Sequence, residues 1–266
     1  MDLKLLANKL WETRWNIKNG HSDDAYESVT EALVMIGAEK AESKPTPQPE
    51  PERPSLNQPG AKLMYHPLAD QSIKHSASKK YRKGYPEGLI VHFTAGQCDT
   101  ESDMKESLSW GKEQGYSFWG IGPTGKLYQT SPLSHGGAHA GASFWPSLGD
   151  SVSQYLLGVE IACAGKVDSN GKSWFNKTYA KDRLRTVGNK DNVQAGTYVK
   201  YTPEQEESLI ELCLWLKRNN PDVFSFDLVL GHDSVAPSRK SDPGGSLSMT
   251  IPELQAKLKK LYAEGK

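Results

Sequence analysis

Residues Gly231 to Gly244 read GHDSVAPSRKSDPG. They follow an apolar run, Phe226 to Leu230, bounded by turn residues, and that pattern predicts a buried strand. His232 therefore stands where a strand gives way to a loop, a place held rigidly yet open to a ligand. Lys240 and Asp242 follow eight and ten residues later. Pro237, Pro243 and two glycines stiffen the loop between and after them. A neutral imidazole and a carboxylate are both good ligands for zinc, and carrying two on one stiff loop lowers the entropy cost of assembling a site. Taken alone, the same residues also describe a surface loop with scattered polar side chains.

Gly88 to Phe93 is a short apolar strand that delivers His92 into the small-residue turn Thr94-Ala95-Gly96. A lone strand-end histidine is as readily structural as functional. Tyr155 to Cys163 is the most apolar strand, with a single charge, Glu160. A carboxylate in such a run is costly unless it is salt-bridged or put to use. Glu101 to Gln114 has helical spacing, with Met104, Leu108 and Trp110 directed inward. Tyr116 to Gln129, with a turn at Pro123-Thr124-Gly125, is a hairpin. Ser134 to Gly141 holds His135 and His139 among small residues, and Phe144 and Trp145 follow as a possible apolar wall. Lys166 to Lys200 is polar and turn-rich, with eight Lys/Arg against three Asp. It reads as an inserted excursion that walls the groove or as a solvated face. Thr202-Pro203 and Ile251-Pro252 open two further helices. Strands and helices interleave, while the hairpin excludes an all-parallel sheet. The fold class is therefore α/β, a mixed central sheet covered by helices.

The motif GHDxxAPxRKxDPG resembles the C-terminal signature of the zinc-dependent N-acetylmuramoyl-L-alanine amidases, which include phage endolysins, bacterial recycling and cell-wall amidases and the related peptidoglycan recognition proteins. The resemblance spans roughly Leu89 to Pro252. It implies His92, His232 and Asp242 as zinc ligands, Glu160 as general base and Lys240 as stabiliser of the oxyanion, with Tyr116 lining the groove. It also implies that His139 and Trp145 border the substrate, although His135 or His139 is an alternative third or fourth ligand. Ser117 stands where the family often has histidine, and Asp242 where the endolysin branch often has cysteine. The activity implied is hydrolysis of the amide between N-acetylmuramic acid and L-alanine. Three contexts are open: a phage endolysin, a bacterial recycling or cell-wall amidase, and a peptidoglycan-binding protein without activity.

The first 40 residues place Leu3, Leu6 and Leu10, then Tyr26, Val29, Leu33 and Ile36, at helical spacing around an Asn19-Gly20 stop. Two such helices are too small to bury a stable core unaided, so they read as a small helical module for wall binding or accessory docking. Residues 41–60 carry six prolines among polar residues, a semi-rigid spacer. Residues 61–266 are the expected catalytic domain. Lys+Arg and Asp+Glu are equal at 32 each, so no net field favours nucleic acid. No apolar run is long enough to span a membrane. The first residues alternate charge and apolar groups too early for a signal peptide, which predicts synthesis in a cytoplasm. The three cysteines, Cys98, Cys163 and Cys213, have no metal-type spacing and are expected as free thiols, Cys98 near the site.

Overall fold

The structure is a computed structural model, and it describes residues 63–265 apart from 77, 78 and 192. The predicted helical module and proline-rich linker lie outside the described residues. The chain runs through β1 (Lys79–Lys80), β2 (Gly88–Phe93), α1 (Glu101–Glu113), β3 (Trp119–Ile121) and β4 (Leu127–Tyr128). Short strands β5 (His135–Gly136), β6 (Phe144–Trp145) and β7 (Gly149–Asp150) precede β8 (Leu156–Ile161). Then come β9 (Lys166–Val167), β10 (Leu184–Val187), β11 (Gly196–Val199), α2 (Pro203–Asn219), β12 (Val229–Gly231), the single turn α3 (His232–Val235) and α4 (Ile251–Ala263).

Five strands form the central sheet in the order β12-β2-β8-β3-β4. The first four are parallel and β4 runs antiparallel to β3, so the sheet is mixed, as the hairpin required. Side chains alternate between faces. On one face Leu89, Val91, Val159, Ile161, Trp119 and Val229 pack against Leu209, Leu212 and Leu216 of α2 and Leu254 and Leu258 of α4. Both helices start with local instructions that the sequence states outright. Thr202 and Thr250 each form a capping box, with a proline in the first turn, which satisfies helix N–H groups that would otherwise lack partners.

The opposite face is built differently. Ile90, Leu156 and Leu230 pack with Ala140, Val152, Tyr155 and Val235, so its cover there is largely the loop between β5 and β8. Near β3 the cover is α1, through Met104 and Leu108. On this face the strands also carry His92 and Glu160, which are register partners across the β2–β8 ladder.

The excursion 166–200 contains a three-stranded antiparallel sheet, β10-β11-β9. It props the motif loop. The Tyr198 ring lies where any Cβ on Gly244 or Gly245 would be, and Gly244 has φ +47, so both glycines permit the close approach. Arg185 donates to the carbonyls of Gly245 and Leu247, and Gln194 to that of Lys240. Two local expectations change. Phe226–Leu228 is a 3-10 turn rather than strand, and His232 opens a helical turn rather than a loop.

Candidate metal centre and groove

His92 is the last but one residue of β2, and His232 follows β12, the strand beside it in the sheet. Asp242 returns to them along the motif loop, whose Asp242 carbonyl accepts from the Asp233 N–H at 2.8 Å. The three side chains are buried and converge, and together they could hold a metal ion. His92 Nδ1 lies 2.9 Å from His232 Nδ1 and 3.0 Å from Asp242 Oδ2, and His232 Nδ1 lies 2.8 Å from that same oxygen.

The far side of each ring shows what these atoms carry. A carbonyl oxygen only accepts, so His139 Nε2, 2.9 Å from the Leu156 carbonyl, holds a proton. In a neutral ring this leaves Nδ1 of His139 as the acceptor. His92 Nε2, 3.0 Å away, donates to it, which leaves His92 Nδ1 with a lone pair. Burial keeps both rings neutral, lowering His92 to about 4 against the raising effect of Asp242, and His139 well below its ordinary value. His232 Nε2 lies 3.1 Å from the Ala140 carbonyl, so it carries its proton on that side and turns Nδ1 inward. Two ring nitrogens and a carboxylate oxygen thus face one another, and a cation at their meeting point fits this donor set.

The three line a cavity of about 320 Å³ together with Tyr116, His139, Glu160, Arg239, Lys240 and Trp110. Glu160 Oε2 is shut off from solvent and has no hydrogen-bond partner among the described residues. No ion pair among them holds it either, so the salt-bridged reading of this glutamate has no partner to rest on. Burial pushes its carboxyl well above the usual range, Asp242 adds to the shift and Lys240 opposes it. Tyr116 is 39% exposed, its ring 5.9 Å from that of Trp110.

His139 lines the cavity and turns its Nδ1 to the back of His92 rather than to the point where the three candidate ligands converge. His135 lies apart from that point. It pairs with the hydroxyl of Ser134 and does not line the cavity. Trp145 packs beside the Ile90–Leu230 cluster and is not among the lining residues. Trp110, expected inward, is 55% exposed at the groove, because the buried stripe of α1 runs through Met104, Leu108 and Gly111. Cys98 is buried beside Met104 and Leu108, off the groove, and all three cysteines are free thiols.

Arg239 escaped sequence reading except as the neighbour of Lys240. Its guanidinium donates to the carbonyls of Ala140 and Ala142 at 2.7 and 2.6 Å, clamping the 140–142 loop over the site. Trp174, 76% exposed, donates its indole N–H to the Ala95 carbonyl at the groove edge.

The N-acetylmuramoyl-L-alanine amidase family model matches residues 82–245, and the chain belongs to that family. Three solved structures resemble it. AmiD of E. coli, in complex with anhydro-N-acetylmuramic acid-L-Ala-D-gamma-Glu-L-Lys, is 19% identical with a TM-score of 0.46, covering 68% of this chain and 61% of AmiD. AMPDH3 of Pseudomonas aeruginosa, with an anhydromuramic pentapeptide, is 20% identical with a TM-score of 0.46, covering 71% of this chain and 64% of that one. The endolysin amidase LysCS of Clostridium intestinale is 17% identical with a TM-score of 0.43, covering 74% and 98%. The match thus spans less than two thirds of AmiD and AMPDH3. No curated protein matches the chain. Among the described residues, no helix is long and apolar enough to cross a membrane.

Proposed function

We propose that this chain is a zinc peptidoglycan amidase that hydrolyses the bond between the lactyl group of N-acetylmuramic acid and L-alanine, with His92, His232 and Asp242 as the zinc ligands. The observation that carries the reading is the convergence of three ligand atoms in a groove that also holds a carboxyl with an unpartnered oxygen, Glu160 Oε2. Two imidazoles and one carboxylate suit zinc and leave a coordination position open. Bound there, zinc would polarise the amide carbonyl and acidify water.

The chain's own groups supply the rest. Glu160, held by burial toward its protonated form, takes the proton of the attacking water and returns it to the leaving amine. The upward shift moves the group toward serving as acid as well as base. Lys240 places an ammonium in the same cavity, where the carbonyl oxygen becomes negative. Tyr116, with Trp110 beside it, offers an amphipathic wall that orients substrate. His139 borders the cavity but acts mainly behind His92.

The context we propose is a phage endolysin in which a module at 1–40 and a linker at 41–60 precede a catalytic domain at 61–266. Its partner is peptidoglycan, not nucleic acid. Asp242 in place of cysteine favours a second context, a bacterial recycling or cell-wall amidase. The test is incubation of the purified chain with soluble anhydro-muropeptide and, separately, with intact sacculi. Release of free stem peptide supports the amidase reading, and turnover of the soluble substrate alone supports the recycling context. Release from neither substrate by zinc-loaded protein overturns both.

A further inference from the structure

The cavity residue that the catalytic reading leaves least employed is His139. Its backbone is pinned, since Ser153 Oγ accepts from the N–H groups of His139 and Ala140 at 3.4 and 3.0 Å. Its ring is pinned as well, between the Leu156 carbonyl and His92 Nε2. The ring lies against β8 at Gly158, where an added Cβ would come within 2.5 Å of His139 Cγ and 2.7 Å of Nδ1. Gly158 is two residues before Glu160 on the same face of the strand, and it is the register partner of Ile90, two before His92. A side chain at 158 would occupy the space in which the imidazole stands.

We infer that His139 is a positioning residue for the metal centre. Seated in the gap left by Gly158, it fixes the Nε2–H tautomer of His92, and so the direction of the lone pair on His92 Nδ1. The relay runs from the Leu156 carbonyl through His139 to His92. His232 needs no such relay, because the Ala140 carbonyl accepts from its Nε2 directly. One short segment, His139–Ala140, therefore sets the tautomer of both histidines, once by a side chain and once by a carbonyl. The inference rests on the metal reading above. A ring that is hydrogen-bonded on its far nitrogen is a better and better-aimed ligand, and loss of such a partner lowers metal affinity roughly 10–100-fold.

Zinc affinity, measured without substrate by competition with a chromophoric chelator, tests this on the full chain. His139→Ala is expected to weaken binding by about 10–100-fold. His139→Asn, whose amide oxygen can accept where Nδ1 did, should recover most of the loss. Gly158→Ala touches neither metal nor ligand and should weaken zinc in the same direction by displacing the ring. Nitrogen NMR of the ring should report the Nε2–H tautomer at His92 in the wild type and a mixture in His139→Ala. Wild-type affinity in His139→Ala, or an Asn variant no better than Ala, overturns the inference while leaving the metal site standing. A wild-type chain that binds no zinc sinks the metal reading instead. Should Gly158→Ala fail to fold, the Ala and Asn pair still decides.

Discussion

The two faces of the central sheet are built from the same strands and serve opposite ends. The face under α2 and α4 is apolar, with Leu89, Val91, Trp119, Val159, Ile161 and Leu254 wholly buried. The other face alternates a small or apolar residue with a working one along β2 and β8: Ile90 then His92, Gly158 then Glu160. Its cover is a loop held by hydrogen bonds from Arg239 and to Ser153. Burial on the first face stabilises the fold. On the second it pushes the pKa of a carboxyl up and those of two histidines down, at some cost in stability. Mutations on the two faces should therefore separate, one set lowering stability and the other lowering metal content or turnover.

The largest effect expected is from Asp242→Ala. Two histidines cannot close the site, so zinc content should fall well below one per chain and activity should disappear, as with a strong chelator, with zinc restoring only the wild type. Full occupancy by metal analysis would remove Asp242 from the ligand set. Next comes Glu160→Ala, expected to keep zinc and lose roughly 10²–10⁴-fold in kcat. Because its carboxylate is buried without a partner, the variant should melt no earlier than wild type. An early-melting variant with normal turnover would remove the general base. Lys240→Ala should keep zinc and lose roughly 10²–10³-fold, read in the same turnover assay.

On the apolar face, Leu212→Ala should cost about 2–5 kcal/mol by denaturant unfolding and leave zinc content and the turnover of folded protein unchanged. A change in turnover there would couple the faces. The smallest effect is graded. Folded His92 takes a proton only near 4, whereas in the unfolded chain it does so near its ordinary 6.5. Between those values the unfolded state binds more protons, so chelator-treated protein should lose stability as pH falls from about 6.5 toward 4. Glu160 and Asp233, whose carboxyls are raised, pull the other way, so the share of His92 is the slope lost in His92→Phe, and an unchanged slope in that variant would contradict it.

What the sequence made legible were features written in neighbouring residues. The strand that carries His92 near its end, the charged position in β8, the hairpin at 116–129 and the two proline-bearing helix starts each depend on a local pattern, and each is present. The approach of His92 to His232 across 140 residues was carried by resemblance, since no spacing expresses it. The misses have two causes. Trp110 sits one position off the buried stripe of α1, and helical spacing alone does not set its rotation to within one residue. Trp145, Arg239 and the far side of His139 depend on which loop packs over which strand, and small polar loops leave no periodic trace of that. Gly158 was visible in the sequence, but a glycine in a strand does not name the ring that fills its space.

His92 and Glu160 face each other across one rung of the β2–β8 ladder, so backbone hydrogen bonds act as the ruler between metal holder and base. That ruler has one graduation, the spacing of neighbouring strands, about 4.8 Å. Substitutions elsewhere in either strand leave it unread, and a slip of one residue in either strand would turn its group to the wrong face and part the pair. Adjustment is left to side-chain length alone. Glu160→Asp withdraws the carboxylate by one methylene, about 1.5 Å, without moving its Cα. Drift in these strands is thus all or nothing in register, and continuous only at the last two bonds of a single side chain.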